Sequence, residues 1–313
     1  MRYLLVDEYG LLLRRTALTL GLDDNWLARM LRLGVLVRIR HGAYADADVW
    51  QQLTPAGRHL LLSRAVMLQY DDRVALSHAS AHVMRGGPDW GLDLEKVNVT
   101  NLFGRGDRVQ AGITHHRGTT RVSDVSRLNG HWVTAPGRTA VETAAGLELV
   151  AAVCVLDWTL HQGLTTREEL ERYATVWLRE WPGSIELPVA VARSDGRSES
   201  VGETRSRIAL ENLGFEPEPQ WAVHHPSGRL AGRVDLLLRR QGVMVEFDGW
   251  VKYGRLLKPG QTITDVIKAE RDREVLLEEL TGLRMLRLVW ADLQQPAEIG
   301  SRVARIVSHR RAS

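Results

Sequence analysis

The chain has almost no cysteine and very little lysine. Cys154 is the single cysteine among 313 residues, so no internal disulfide can form, and its setting in Ala-Ala-Val-Cys-Val-Leu reads as a small core residue of a helix. Lysine occurs only at Lys96, Lys252, Lys258 and Lys268, which leaves 37 arginines among the 41 basic residues. No apolar run approaches the roughly 20 residues that cross a bilayer, so no membrane partner is expected. The opening Met-Arg-Tyr-Leu-Leu-Val-Asp-Glu has no signal-peptide cleavage pattern, and a cytoplasmic protein is expected. A P-loop, a dinucleotide glycine pattern and internal repeats are likewise absent. His78, His82, His115 and His116 lack cysteine partners and a glutamate base in zincin spacing. Adjacent histidines on a strand point to opposite faces. No zinc is expected, and these residues read as capping, packing or phosphate-contact groups.

What is present is enough for two or three domains, each with its own core. Hydrophobic residues make up 44% and charged residues 25%, as in ordinary globular proteins. The net charge of +3 is compatible with nucleic-acid binding but too mild to establish it, so the clustering of arginine matters more than its sum.

Residues 1–50 read as a small helical unit closed by a hairpin. Leu11 to Leu20 form an apolar helix, Gly21 turns the chain, and Asp23 or Asp24 caps a second helix through Leu33. Gly34 ends it, and Val35 to Tyr44 read as two strands joined at His41-Gly42. This is the order of a winged helix-turn-helix. Leu27, Met30 and Leu31 recur at helical spacing and pack inward, leaving Asn25, Arg29 and Arg32 outside. Asn and Arg suit bidentate contacts with adenine and guanine edges, and Arg38, Arg40 and His41 in the wing suit phosphate or minor groove. A protein-contact module with solvated arginines is the competing reading.

Residues 51–160 carry a helix over 55–70, a helix start at Leu76-Ser-His-Ala-Ser-Ala81, strand-like Val97 to Thr100 and Gly112 to Arg117, and a strand or turn, Trp132 to Arg138, that opens a helix from Thr139 to Leu149. Residues 161–200 read as a helical connection. It ends in a polar linker, Ser194-Asp-Gly-Arg-Ser-Glu-Ser200, the best domain boundary by its turn formers.

The densest chemistry lies in residues 201–313. Arg233-Val-Asp235-Leu-Leu-Leu is followed, after Arg-Arg-Gln-Gly, by Val243-Met-Val-Glu246-Phe-Asp248-Gly249. Alternation places Val234, Leu236 and Leu238 on one face and Asp235 with Leu237 on the other, while Glu246 and Asp248 share a side. A hairpin register can bring Asp235 beside them. Buried carboxylates are costly unless a cation joins them. Mg²⁺ or Mn²⁺ is the simplest, since Mg²⁺ needs only one or two carboxylates with water and phosphate oxygens. The competing account is an ion-pair network with Arg233, Arg239, Arg271 and Arg273.

These residues carry two resemblances. The strand pair resembles the metal-binding hairpin of restriction-endonuclease-like, PD-(D/E)XK, nucleases, and is most similar to very-short-patch-repair-like endonuclease domains. Glu203 on a preceding helix, a helix over 262–280 and the strand Leu283 to Trp290 follow the same order. That resemblance implies metal ligation by Asp235 and Glu246, help from Glu203, and a cationic catalyst where this chain has Asp248. Lysine can deprotonate at suitable sites and arginine cannot, so Lys252, or Lys268 as a migrated equivalent, is the expected substitute, and Lys252 or Asp248 itself would position the attacking water. Glu203 also suits a helix start, where it complements the dipole. Further upstream, His41-Gly42-Ala-Tyr44, Leu76-Ser-His-Ala-Ser-Ala81 and Val133-Thr-Ala-Pro-Gly-Arg-Thr139 resemble the AbiEi family, antitoxins of type IV toxin–antitoxin systems. This implies a winged helix that represses its own operon and a middle domain of regulatory role.

The expected protein is therefore multidomain α/β: a winged helix-turn-helix, an α+β middle domain, and a nuclease-like domain with a mixed central sheet. Its expected partners are double-stranded DNA, a cognate toxin protein and a second copy of the chain. Its expected function is metal-dependent endonuclease action in phage defence or a toxin–antitoxin-like system. The alternative is a non-catalytic AbiEi-like repressor or antitoxin with a degenerate nuclease fold.

Overall fold

The computed structural model describes residues 5–103, 107–117, 121–180, 184–249 and 262–312. The chain divides into two compact units, Met1–Val155 with Leu164–Ala192, and Leu156–Gly163 with Arg193–Ser313. Both mix helices with sheets, and the six-stranded sheet of the first and the four-stranded sheet of the second each contain parallel and antiparallel pairs. Among the described residues no helix is long and apolar enough to cross a membrane.

The first unit begins with Leu11–Leu13 (β1), Arg14–Thr19 (α1), Asp24–Arg32 (α2), Leu36–Arg40 (β2) and Ala43–Asp46 (β3). The expected helix over 11–20 is in fact a strand followed by a shorter helix. Leu11, Leu12 and Leu13 are all buried and pair with Ala45, Tyr44 and Ala43, and a three-residue apolar run has no period that separates strand from helix. The second helix starts where its cap predicts: the Asp23 carboxylate accepts from the Trp26 amide at 2.8 Å. The turn between β2 and β3 uses Gly42 at φ +71°, a conformation glycine takes without strain. The three strands form an antiparallel sheet in the order β1-β3-β2.

After Ala47–Gln52 (α3), the helix Pro55–Tyr70 (α4) serves two cores. Its Leu61 and Ala65 pack with Leu11, Leu13 and Ala43 of the small sheet, while Val66 and Met67 pack with Val74, Leu76, Val97 and Val99 of the large one. That sharing explains why the small sheet and the segment after it form one unit. The large sheet is built from Val74–Leu76 (β4), Val97–Asn101 (β5), Arg108–Gln110 (β6), Ile113–His116 (β7), Val125–Leu128 (β8) and His131–Thr134 (β9), in the order β6-β7-β5-β4-β9-β8. His78–Met84 (α5) and Pro136–Ala144 (α6) follow β4 and β9, and Leu149–His161 (α7), Arg167–Glu180 (α8) and Leu187–Arg193 (α9) come next in the chain.

The second unit holds Val201–Asn212 (α10), Pro217–His224 (β10), Leu230–Leu238 (β11), Val243–Phe247 (β12), Ile263–Thr281 (α11), Arg284–Leu288 (β13) and Pro296–Ala312 (α12). Its sheet runs β10-β11-β12-β13, antiparallel except for the parallel β12/β13 pair. Leu236, Leu238, Val243 and Val245 pack toward Leu210 of α10 and Ile299 and Val303 of α12. Leu237, Met244 and Val223 pack toward Leu277 of α11. Gly202 lets α10 lie directly on the Phe247 ring, which a Cβ there would overlap.

The segment 194–200, expected as a polar linker, is held by hydrogen bonds. The Asp195 amide donates to Asp157 at 2.6 Å and the His161 ring meets the Gly196 carbonyl at 3.1 Å. Asp157 also accepts from Thr204 and Arg207, each at 2.8 Å. Turn-forming residues here make a pinned loop, because a buried carboxylate recruits its backbone.

Candidate acidic site and nucleic-acid face

The acids of the second unit lie along one register line. β11 pairs with β12 through Leu236↔Val245, where the ladder ends, and Asp235 and Glu246 are the next residues of the two strands. Glu246 is paired with Arg287 of β13, and the pairs Pro219↔Leu236 and Trp221↔Val234 set Gln220 opposite Asp235. Gln220, Asp235, Glu246 and Arg287 thus occupy adjacent positions across all four strands.

Regular alternation fails on this line. Val234 packs in the same cluster as Leu237 and Met244, whereas Leu236 and Leu238 belong to the opposite core. The expected shared face of Val234, Leu236 and Leu238 is therefore wrong: the strand changes faces at Asp235. Gln220 beside it sits at φ +55°, an uncommon conformation for a side chain other than Gly or Asn. Asp235 fills the gap with its own carboxylate, which accepts from the Phe247 amide at 2.7 Å.

Arginine surrounds the next acid. Glu246, 9% exposed, lies 2.7 Å from Arg273 of α11 and 3.8 Å from Arg287. Arg287 also reaches Glu274 at 2.8 Å, Glu270 at 3.7 Å and Asp248 at 4.0 Å. Its guanidinium is held above the ordinary range: burial opposes the charge, but Glu274, Glu246 and Glu270 outweigh it. Glu203 reaches the line through Gln220, whose amide donates to it at 2.9 Å. It also closes a reciprocal cap with Ser200, taking the hydroxyl at 2.8 Å while its own amide donates back at 3.2 Å.

The expected lysines do not join this group in the described structure. Lys252 lies outside the described residues. Lys268 is exposed. It stands two residues before Glu270, the first α11 side chain to reach Arg287, and two residues are more than half a helical turn. Among the described residues no group of three or more His, Cys, Asp or Glu side chains is arranged to hold a metal ion. Of the arginines expected to neutralise the acids, Arg273 does so, while Arg233 pairs with Glu199 and Arg239 with Glu218. Arg287 was missed; its signal was a guanidinium flanked by Leu286 and Leu288 in a buried strand.

The first unit presents the other candidate face. Asn25, Arg29 and Arg32 are exposed on α2, and Leu27 on its far side is 2% exposed. Asn25 donates weakly to Asp23 at 3.4 Å, and Asp24 is held by Arg14 at 2.7 Å. In the β2–β3 hairpin, Arg38 and the His41 ring meet at 2.9 Å, while Gln69 of α4 holds the His41 carbonyl at 2.9 Å. Arg40 is the less accessible of the hairpin's two arginines. It is half-buried, and burial lowers its pKa from the ordinary value.

The four histidines spread over several contacts. His78 stacks on His116 with ring centroids 3.7 Å apart, His115 meets Asn101 at 3.1 Å, and His82 meets the Pro88 carbonyl at 3.2 Å. The two strand neighbours, His115 and His116, do serve opposite sides.

No family model matches the chain. Two curated proteins from strains of Mycobacterium tuberculosis, "Uncharacterized protein MT2308" and "Uncharacterized protein Rv2248", are each 27% identical over 277 residues, covering 87% of this chain and 92% of theirs. A crystal structure of the RV2827C protein from Mycobacterium tuberculosis aligns at a TM-score of 0.38 and 15% identity, covering 70% of this chain and 85% of that one. A likeness at that level carries no argument about function.

Proposed function

We propose that this is a DNA-binding protein whose C-terminal unit carries an endonuclease-type phosphodiesterase site, with Asp235 and Glu246 as ligands for Mg²⁺ or Mn²⁺. The observation that carries the reading is that Asp235 and Glu246 follow directly where the β11/β12 ladder stops, with the Asp235 carboxylate 2.7 Å from the amide of Phe247, the neighbour of Glu246. Two adjacent carboxylates are the hard oxygen donors Mg²⁺ uses, and the ion needs no third side chain when water and phosphate complete its shell. Bound there, the metal supplies water activation and charge neutralisation. Arg273 and Arg287 neutralise phosphate charge from the same side as Glu246, and Glu203 steadies Gln220 beside Asp235. The mixed sheet flanked by α10, α11 and α12 supports the restriction-endonuclease-like assignment of this unit.

The chain order β1-α1-α2-β2-β3, with its three strands in one antiparallel sheet, supports a winged helix as the DNA reader. Asn25, Arg29 and Arg32 face the major groove, and Arg38 with His41 meet phosphate; Arg40 braces the wing. The setting is phage defence or a toxin–antitoxin-like system in the cytoplasm, with an AbiEi-like segment following the wing.

A second reading is favoured by the 2.7 Å pair of Arg273 and Glu246. In it, arginine has taken the place of the metal and the protein is a repressor or antitoxin that binds DNA without cutting. Supercoiled and linear DNA incubated with Mg²⁺ or Mn²⁺ separates the two. Cleavage by the wild type, lost in Asp235→Asn and in Glu246→Gln, supports the nuclease. Salt-dependent binding with three equally inactive proteins supports the repressor. Binding that Arg29→Ala and Arg32→Ala leave untouched removes the winged-helix reader from both.

A further inference from the structure

The two arginines beside Glu246 are held differently. Arg287 is shared among Glu274 at 2.8 Å, Glu270 at 3.7 Å, Glu246 at 3.8 Å and Asp248 at 4.0 Å, so the loss of any one of them leaves it in place. Arg273 pairs with a single acid among the described residues. Its Nη1 meets Glu246 at 2.7 Å, and its Nη2 donates to the carbonyl of Arg233, two residues before Asp235. One guanidinium therefore ties β12 to β11 beside the two acids and competes with any ion for Glu246.

Arg273 is also the arginine that can leave. Its side chain is 38% exposed, and exposed side chains change rotamer rapidly. The ground beside it suits a polyanion. Residues 219–234, which span most of the β10/β11 ribbon, contain no acid, and Arg229 and Arg233 are exposed on it. From Leu230 to Asp235, β11 runs on past its last pair with β12, so this strip without negative side chains of its own adjoins the acids. Arg233 is held only by the exposed Glu199 at 3.3 Å. Phosphate oxygens take a guanidinium in the same forked geometry as a carboxylate does.

We propose that Arg273 gates the acidic site: it holds Glu246 in the DNA-free protein and passes to a phosphate when duplex DNA lies along the β10/β11 ribbon, so that DNA opens the site to its metal. The gate depends on the reading of Asp235 and Glu246 as metal ligands. Once Arg273 has moved, Glu246 keeps only the longer contact to Arg287, and a buried carboxylate that has lost its partner favours a cation in its place. Metal and DNA binding are then coupled, equally in both directions. The pair of Arg273 and Glu246 is on this account the closed state of a working site.

Titration of the full chain with Mn²⁺, with and without a short random-sequence duplex at low salt, tests this; paramagnetic resonance reads the free ion and fluorescence anisotropy the bound duplex. Glu246→Gln with the same duplex corrects for manganese held by DNA alone. The duplex should tighten Mn²⁺ for the wild type by about two- to fivefold, since DNA relieves no more than a partly exposed ion pair contributes. Arg273→Met should bind Mn²⁺ tighter by the same factor without DNA, and the duplex should then change little. In return, Mn²⁺ should tighten the duplex for the wild type and not for Arg273→Met. Equal Mn²⁺ affinity with and without bound duplex, in a wild type whose Mn²⁺ binding Asp235→Asn and Glu246→Gln abolish, overturns the gate and leaves the metal site standing. A duplex effect of full size in Arg273→Met overturns it too, because another group then carries the coupling, and so does a duplex that does not bind. Mn²⁺ binding that is absent, or that neither acid variant alters, removes the metal site and the gate together.

Discussion

Two sets of buried polar groups, one in each unit, are accommodated in opposite ways. The first keeps His78, His82 and His116 uncharged, with burial holding them at about 3, about 4 and about 4. The second buries Asp157 and surrounds it with donors from Asp195, Thr204 and Arg207. One solution removes the charge and the other completes its hydrogen bonds. They respond to acid in opposite directions, which makes the difference measurable.

The largest effect is therefore expected from pH. An unfolded histidine takes up its proton near 6.5, but these three do so in the folded state only near 3 to 4. Below 6.5 the unfolded chain binds more protons, so stability falls as pH drops toward 4, by up to about 1.4 kcal/mol per pH unit for each group. Asp157 has the other sign. Burial pushes its carboxyl up to about 6 against the pull of Arg207, so its contribution is greatest below 3.8 and is lost as pH rises through 6. Hydrogen exchange followed separately in the two units between pH 6.5 and 4.5 should show the first losing protection and the second holding it. A parallel loss in both units abolishes the contrast.

Mutation of the saturated pair gives the next largest change. Arg207→Met leaves Asp157 buried beside a thioether, and removal of one member of such a pair costs about 3–5 kcal/mol. Urea denaturation should show it, and a cost below about 1 kcal/mol would mean that Asp157 is not held by charge.

Arg273→Met is the smallest in stability and the most informative about chemistry. The Arg273 side chain is 38% exposed, so its pair with Glu246 should contribute under about 1 kcal/mol. Mn²⁺ titration should show tighter binding in this variant, since the competing cation is gone. Unchanged affinity would remove Glu246 from the list of metal ligands.

Much of the local structure was legible in the sequence, and the tertiary polar contacts were not. The Asp23 cap, the His41-Gly42 turn and the two strands bearing Asp235 and Glu246 each depend on neighbours within a few residues. The change of face at Asp235 is different, because it depends on Gln220 in another strand adopting a left-handed backbone. Arg287 meets Glu246 only through the parallel β12/β13 pair, and His78 meets His116 only once β7 lies beside β5. Spacing along a chain carries no information about such pairs.

The bond from the Phe247 amide to Asp235 bears on how this site can be inherited. The carboxylate replaces a ladder acceptor, so the acid is useful to the sheet whether or not it ever meets a metal. A descendant that had lost turnover would still be penalised for replacing it with an apolar residue. Retention of this aspartate among relatives is thus a record of strand architecture. A test of catalysis belongs at Glu246 and its arginines, where no backbone hydrogen bond among the described residues holds the carboxylate.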